Sequence, residues 1–251
     1  MGAHFFPAGR GIGHQIMCEE GFAWPGTMAV ASDSHSNMYG AMACLGTPVV
    51  RTDAAAIWAT GRTWWQVPPV VKIIFEGRLR EEVCGKDIII ALCSYFSHDE
   101  VLNCALEFTG NAIKCLSVED RLTIANMTTE WGALAAVFPF DNILLNWIRA
   151  NIARYEVSNN SHHPRLNYPH LEETVSENIT ADNGAHYEKE IRVNLSTILP
   201  CVAGPDTVKK AEPVSRLRHK NIKINKAYLL SCYATGPETT MLRFLKDMIV
   251  L

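Results

Sequence analysis

The chain has 251 residues, 48% of them hydrophobic and 20% charged, with a formal net charge of −3. This is globular composition, enough for one large domain or two small ones, and it excludes a disordered tail, a collagen-like chain and a small disulfide mini-protein. The mixed charges argue against nucleic-acid binding, which needs a concentrated basic surface, and no run of ~18 apolar residues exists to span a bilayer.

In chain order, Met1 to Phe6 shows no apolar signal core and no Arg-rich presequence, so no targeting peptide is visible. Gly9-Arg10-Gly11-Ile12-Gly13-His14 is glycine-rich but lacks the Lys-Ser/Thr of a phosphate loop and a preceding strand. Its glycines more simply let the backbone pass close to something and present His14. Thr27 to Ala31 reads as a short buried strand running into Asp33-Ser34-His35. Thr52 to Trp65 has helix-like spacing with Asp53 near its start, and Val70 to Phe75 is a strand ended by Glu76-Gly77. Lys86 to Phe96, part of Val118 to Ala133, and Ile143 to Ala153 read as helices. Strands alternating with helices predict an α/β layered fold.

From Ser158 to Asn183 the composition turns to Asn, Ser, His, Pro and Glu without apolar periodicity, which predicts a surface insertion or linker with solvated His162, His163 and His170. Order resumes near Ile191. Asn225 to Leu230 is a strand candidate delivering Cys232 at its carboxyl end, where open α/β sheets usually place their chemistry. Eight cysteines, none in a C-x-x-C pair, read as mostly inert buried thiols of a reducing compartment.

Three groups of residues could carry chemistry. Asp33, Ser34 and His35 on a strand-end turn can position a substrate and move protons, or form an ordinary polar turn. Asn126 and Glu130 are four apart, so on a helix they share a face. A carboxylate among Met, Trp and Ala needs a cation or an imidazole if it is buried, and His14 and His35 are the candidates; the alternative is a solvated helix face. Cys232 is either a buried thiol, a nucleophile or a metal ligand.

Five segments, in order, resemble the aconitase superfamily and within it the homoaconitase branch. They are Gly9 to Ile16, Trp24-Pro25-Gly26, Asp33-Ser34-His35-Ser36-Asn37-Met38-Tyr39-Gly40, Thr123 to Leu134, and Lys226 to Cys232. The Ser-Asn-Met-Tyr-Gly run favours that branch over aconitase proper, and the resemblance covers roughly residues 8 to 232. It implies aconitase-like layered α/β domains, truncated at both ends. The divisions expected are an incomplete first domain over 1–157, a polar insertion or linker over 158–190, the start of a next α/β segment over 191–232, and a divergent tail over 233–251.

The resemblance further implies a hydro-lyase of lysine biosynthesis by the aminoadipate route, acting on a small tricarboxylic acid in the mitochondrial matrix. Family members are usually monomeric and work with a 4Fe-4S iron–sulfur cluster held by three thiolates. Carried over by residue, Cys232 matches a cluster ligand. His14 with Asp33, and His35 with Glu130, match two catalytic imidazole–carboxylate pairs; Ser34 and Asn126 match substrate-binding groups. The family's Thr-Asn-Ser-Arg after the cluster cysteine and its later Cys-x-x-Cys are absent, since the chain reads Tyr233-Ala234-Thr235-Gly236-Pro237. Two of three cluster cysteines are therefore missing, and the expectation is that this chain alone is inactive.

Overall fold

The structure is a computed structural model that describes residues 2–226. Helix α1 (Gly13–Glu19) turns His14, Ile16 and Cys18 inward. Strand β1 (Met28–Ala31) pairs in parallel with β2 (Leu45–Pro48), from Met28 opposite Leu45 to Ala31 opposite Pro48. The connection between them carries Asp33–His35 and then a 3-10 turn, Ser36–Met42, in which all seven residues are buried. Two glycines permit this close packing. A Cβ on Gly40 would fall 1.6 Å from the carbonyl oxygen of Ala136, and one on Gly46 would fall 2.1 Å from that of Ser36.

Helix α2 (Arg51–Thr60) is shorter than the spacing predicts, because Gly61 takes a left-handed φ of 68° and ends it. None of its residues is buried, and Trp58 is 79% exposed. Its apolar spacing thus marks a surface helix here, not a core one.

The main sheet is parallel throughout, in the order β5 (Ala135–Val137), β4 (Ala105–Thr109), β3 (Val70–Glu76), β6 (Lys189–Asn194). Its central strand β3 (Val70–Glu76) alternates, burying Val71, Ile73 and Phe75. Helix α3 (Gly85–Tyr95) contributes Ile88, Ile89 and Leu92 to the same core, and starts where the Asp87 carboxylate accepts the Cys84 N–H. Strand β4 (Ala105–Thr109) pairs with β3 on one side. Helix α4 (Val118–Trp131) begins with a capping box: Ser117 Oγ accepts the Asp120 N–H while the Asp120 carboxylate accepts the Ser117 N–H. Gly132, at φ 105°, ends α4.

Strand β5 (Ala135–Val137) forms the sheet edge beside the 36–42 turn. In the core Phe108 stacks on Phe138, with ring centroids 4.4 Å apart, and meets Phe75 at a tilt, 5.3 Å apart. Asp141 caps helix α5 (Asn142–Asn159), accepting the N–H groups of Ile143 and Leu144 at 3.1 Å. Asp141 also closes a bidentate pair with Arg121, a residue of α4 with a fully buried side chain.

The expected polar insertion contains a helix, α6 (Tyr168–Ser176). Trp24 Nε1 donates to Thr174 Oγ1 at 2.7 Å, and the Trp24 ring stacks on His170 at 4.3 Å. His163 is not solvated as its polar neighbours suggested. It is 3% exposed and hydrogen-bonded to Glu20 at 2.9 Å, a partner 143 positions away that no local pattern reveals. Strand β6 (Lys189–Asn194) then joins the free edge of β3 in parallel, from Lys189 opposite Val71 to Asn194 opposite Glu76. A hairpin of β7 (Cys201–Ala203) and β8 (Ala211–Pro213) follows, with the Cys201 N–H donating to Asp87 at 2.9 Å. The α/β class is as the sequence predicts, and the structure adds that the main sheet is parallel. Apart from Asn225 and Lys226, the strand expected over Asn225–Leu230 lies outside the described residues, as does Cys232.

Candidate active site

Three separate segments converge on the turn after β1. Its local structure follows from its side chains: Asp33 Oδ1 accepts the His35 N–H at 2.8 Å, and Ser36 Oγ donates to the Asp33 carbonyl at 2.7 Å. Asn37 fastens the turn to α4 and its exit, donating to Thr128 Oγ1 at 3.0 Å and to the Ala133 carbonyl at 3.1 Å. This fastening sets Glu130, near the end of α4, against His35.

The distances describe two imidazole–carboxylate pairs. His14 Nε2 lies 3.1 Å from Asp33 Oδ1, and His35 Nε2 lies 3.2 Å from Glu130 Oε1. Ser34 Oγ lies 3.0 Å from His35 Nδ1. The pairs differ in depth. His14 is 8% exposed, whereas the Glu130 side chain is 42% exposed, so water reaches it. The Glu130 pair is thus not driven by burial of the carboxylate; it comes from the packing of the 36–42 turn on α4. Asp33 is held below the usual carboxylate range, first by the His35 N–H and then, against some burial, by His14.

Asn126 also lies on α4 but is buried, its Nδ2 3.6 Å from Met38 Sδ. Its amide packs against the underside of the same turn. Ser34 opens onto a hollow of about 550 Å³ that is also lined by Pro48, Val49, Arg51 and Thr52. Sequence reasoning passed over Tyr39, whose hydroxyl lies 3.2 Å from His14 Nδ1. The signal was available: a tyrosine in a run of small and apolar residues needs a partner for its hydroxyl when buried.

The described residues do not fit the 4Fe-4S cluster that the resemblance implies. Among them, no three His, Cys, Asp or Glu side chains come together in a way that could hold a metal ion. Their seven cysteines are free thiols dispersed through the fold. Burial pushes the Cys93 and Cys201 thiols up to about 12 and, with Asp87 adding to it, Cys84 up to about 11. In the metal-free chain, thiols so shifted stay protonated near neutral pH. Cys232, expected as a ligand, lies outside the described residues.

The sequence is similar to those of known proteins. It is 56% identical over 239 residues to the mitochondrial homoaconitase of Emericella nidulans, an alignment covering 92% of this chain and 31% of that protein. The mitochondrial homoaconitase of Mycosarcoma maydis is 55% identical (92% and 33% covered), and that of Chaetomium globosum 58% (92% and 30% covered). The chain thus spans about a third of the length of these relatives. A sequence model of the aconitase family (aconitate hydratase) matches residues 1–241, nearly the whole chain. With that match across the turn, α4 and the parallel sheet, the chain belongs to the aconitase family.

Proposed function

We propose that this chain supplies the acid–base face of a hydro-lyase site that interconverts cis-homoaconitate and homoisocitrate in the mitochondrial matrix, a reading supported by relatives whose names say mitochondrial. The observation that carries the reading is the convergence of His14–Asp33 and His35–Glu130 from three segments on one turn. Removing water from a hydroxy acid takes a proton from carbon and adds one to the departing hydroxyl; the two imidazole–carboxylate pairs serve the hydroxyl proton, which hydration in turn removes from the attacking water. His35 moves that proton. Glu130 engages Nε2 and orients the ring, so the exchange with substrate takes place at Nδ1, which faces Ser34 Oγ. Asp33 holds the His35 backbone, and His14 holds Asp33. The hollow beside Ser34, with Arg51 on its wall, is of a size that takes a small polycarboxylate.

A 4Fe-4S cluster, by family, supplies Lewis-acid chemistry in such a reaction. Because the described residues do not fit one, a second reading is favoured for the 251 residues in isolation: a folded but catalytically silent member of the family. The divisions at 1–157, 158–190 and 191–232 remain part of the proposal.

The test is a segment exchange. Residues 8–232 replace the corresponding part of the Emericella nidulans homoaconitase, and hydration of cis-homoaconitate is followed by loss of its conjugated absorbance. Turnover in the exchanged protein, falling about 10²- to 10⁴-fold with Glu130→Gln, is the expected result. An exchanged protein without turnover, or one indifferent to Glu130→Gln, overturns the proposal.

A further inference from the structure

We infer that Tyr39 is a positioning residue: its hydroxyl donates to Nδ1 of His14, which fixes His14 as the Nε2–H tautomer that holds Asp33. The catalytic consequence rests on the hydro-lyase reading above, whereas the tautomer does not.

Both nitrogens of His14 are engaged, Nδ1 by Tyr39 Oη at 3.2 Å and Nε2 by Asp33 Oδ1 at 3.1 Å. An ionised carboxylate only accepts hydrogen bonds. Asp33 already accepts the His35 N–H at 2.8 Å and is held below the usual range, so it is ionised at neutral pH. Nε2 must then carry a proton. Tyr39 is 2% exposed, and burial pushes its phenol well above its ordinary value, so it retains its O–H. A neutral His14 with a bare Nδ1 gives that O–H an acceptor and leaves no ring nitrogen unpaired. A doubly protonated ring would also pair with Asp33, but it would turn the Tyr39 hydroxyl from donor to acceptor and set a charge in an 8% exposed pocket.

The same contacts form a line of positioning. Tyr39 sits in the 36–42 turn, one helical step beyond His35, and its ring meets His14 edge-on at 5.7 Å. Its hydroxyl sets the His14 ring, His14 Nε2–H sets the Asp33 carboxylate, and Asp33 sets the backbone N–H of His35. Tyr39 touches none of the groups proposed to exchange protons with substrate. It acts through His14, as an outer partner that selects which nitrogen of an imidazole carries the hydrogen.

The test is ¹⁵N NMR of the histidine rings in the full 251-residue chain at neutral pH, with His14 assigned by its loss in His14→Gln. The expected spectrum has Nε2 protonated and Nδ1 unprotonated and hydrogen-bonded. In Tyr39→Phe, which retains the ring packing, the Nδ1 resonance shifts toward that of a free nitrogen, or a second tautomer appears. A proton on Nδ1 in the unmodified chain overturns the inference without any variant having to fold. A His14 signal identical in the unmodified chain and a folded Tyr39→Phe overturns it too. In the segment-exchanged enzyme, Tyr39→Phe lowers kcat about tenfold; an unchanged kcat overturns Tyr39's effect on turnover. Absence of turnover in the unmodified exchange counts against the hydro-lyase reading alone, since the tautomer is read without substrate.

Discussion

Replacing Asp141 with Ala tests whether the clamp between α4 and α5 holds the helix that carries Glu130. Arg121 has no exposed side-chain surface, and Asp141 meets it with both oxygens, at 2.8 and 2.7 Å. Arg121 otherwise donates to the Ile113 carbonyl at 3.2 Å, and its Nε has no partner. Asp141→Ala therefore leaves a buried guanidinium short of its counter-charge, a loss of about 3–5 kcal/mol. It also uncaps α5, which costs about 1 kcal/mol. The Asp141 side chain is 27% exposed, so water entering behind the lost carboxylate offsets part of this, and the expected total is about 4 kcal/mol. That is a large share of the ~5–15 kcal/mol that holds an ordinary domain folded. Urea denaturation followed by far-UV circular dichroism measures it.

Asp141→Asn, which keeps a capping oxygen, should lose less. Combining Arg121→Met with Asp141→Ala should recover much of the loss, because no buried charge is then left unpaired. The pH dependence has a definite sign. Partial burial raises the Asp141 carboxyl, but Arg121 and the α5 amides outweigh it and hold it below 3.8. The pair's contribution is complete above about pH 4 and disappears as the pH falls through the folded-state value. A change under 1 kcal/mol in Asp141→Ala, or a double variant as unstable as the sum of the singles, would refute this reasoning.

Gly40→Ala should destabilise by about 3 kcal/mol or more, since the added carbon meets backbone at 1.6 Å and neither the turn nor β5 can retreat alone. Its thermal unfolding midpoint should drop well below that of Gly13→Ala, a position with open space around it and no left-handed backbone; equal midpoints would count against the packing described. After anaerobic reconstitution of the isolated chain, iron and acid-labile sulfide should be near zero per chain. A stoichiometry near that of a complete 4Fe-4S cluster would show that other thiols assemble a site.

The elements legible in the sequence were those whose own residues decide them. β3 shows itself by strict alternation, and α3 by Ile88, Ile89 and Leu92 on one face. By contrast, β5 has three residues, too few for a period, and is a strand only because Ala105 to Glu107 pair with it. Helix α6 buries only Leu171 and Thr174, so its apolar stripe is too thin to be seen among polar neighbours. At the site, Asp33, Ser34 and His35 adjoin in sequence and are conspicuous. For Glu130 the residues themselves left two candidate imidazoles, His14 and His35, and only the motif resemblance chose His35, 95 positions away. Tyr39 was missed because its partner His14 lies on a different element, 25 positions earlier.

The order of the sheet bears on how the chain is made. β3 gains β4 after a short excursion, but its other edge waits roughly 110 residues for β6. At ribosomal rates of about 5–20 residues per second, that edge stands open for roughly 6 to 20 seconds. During this interval Val71, Ile73 and Phe75 lie beside a row of unpaired backbone groups, which can template pairing with another chain. Nascent chains that stop short of Lys189 therefore retain that open edge, and they are the species most in need of a chaperone.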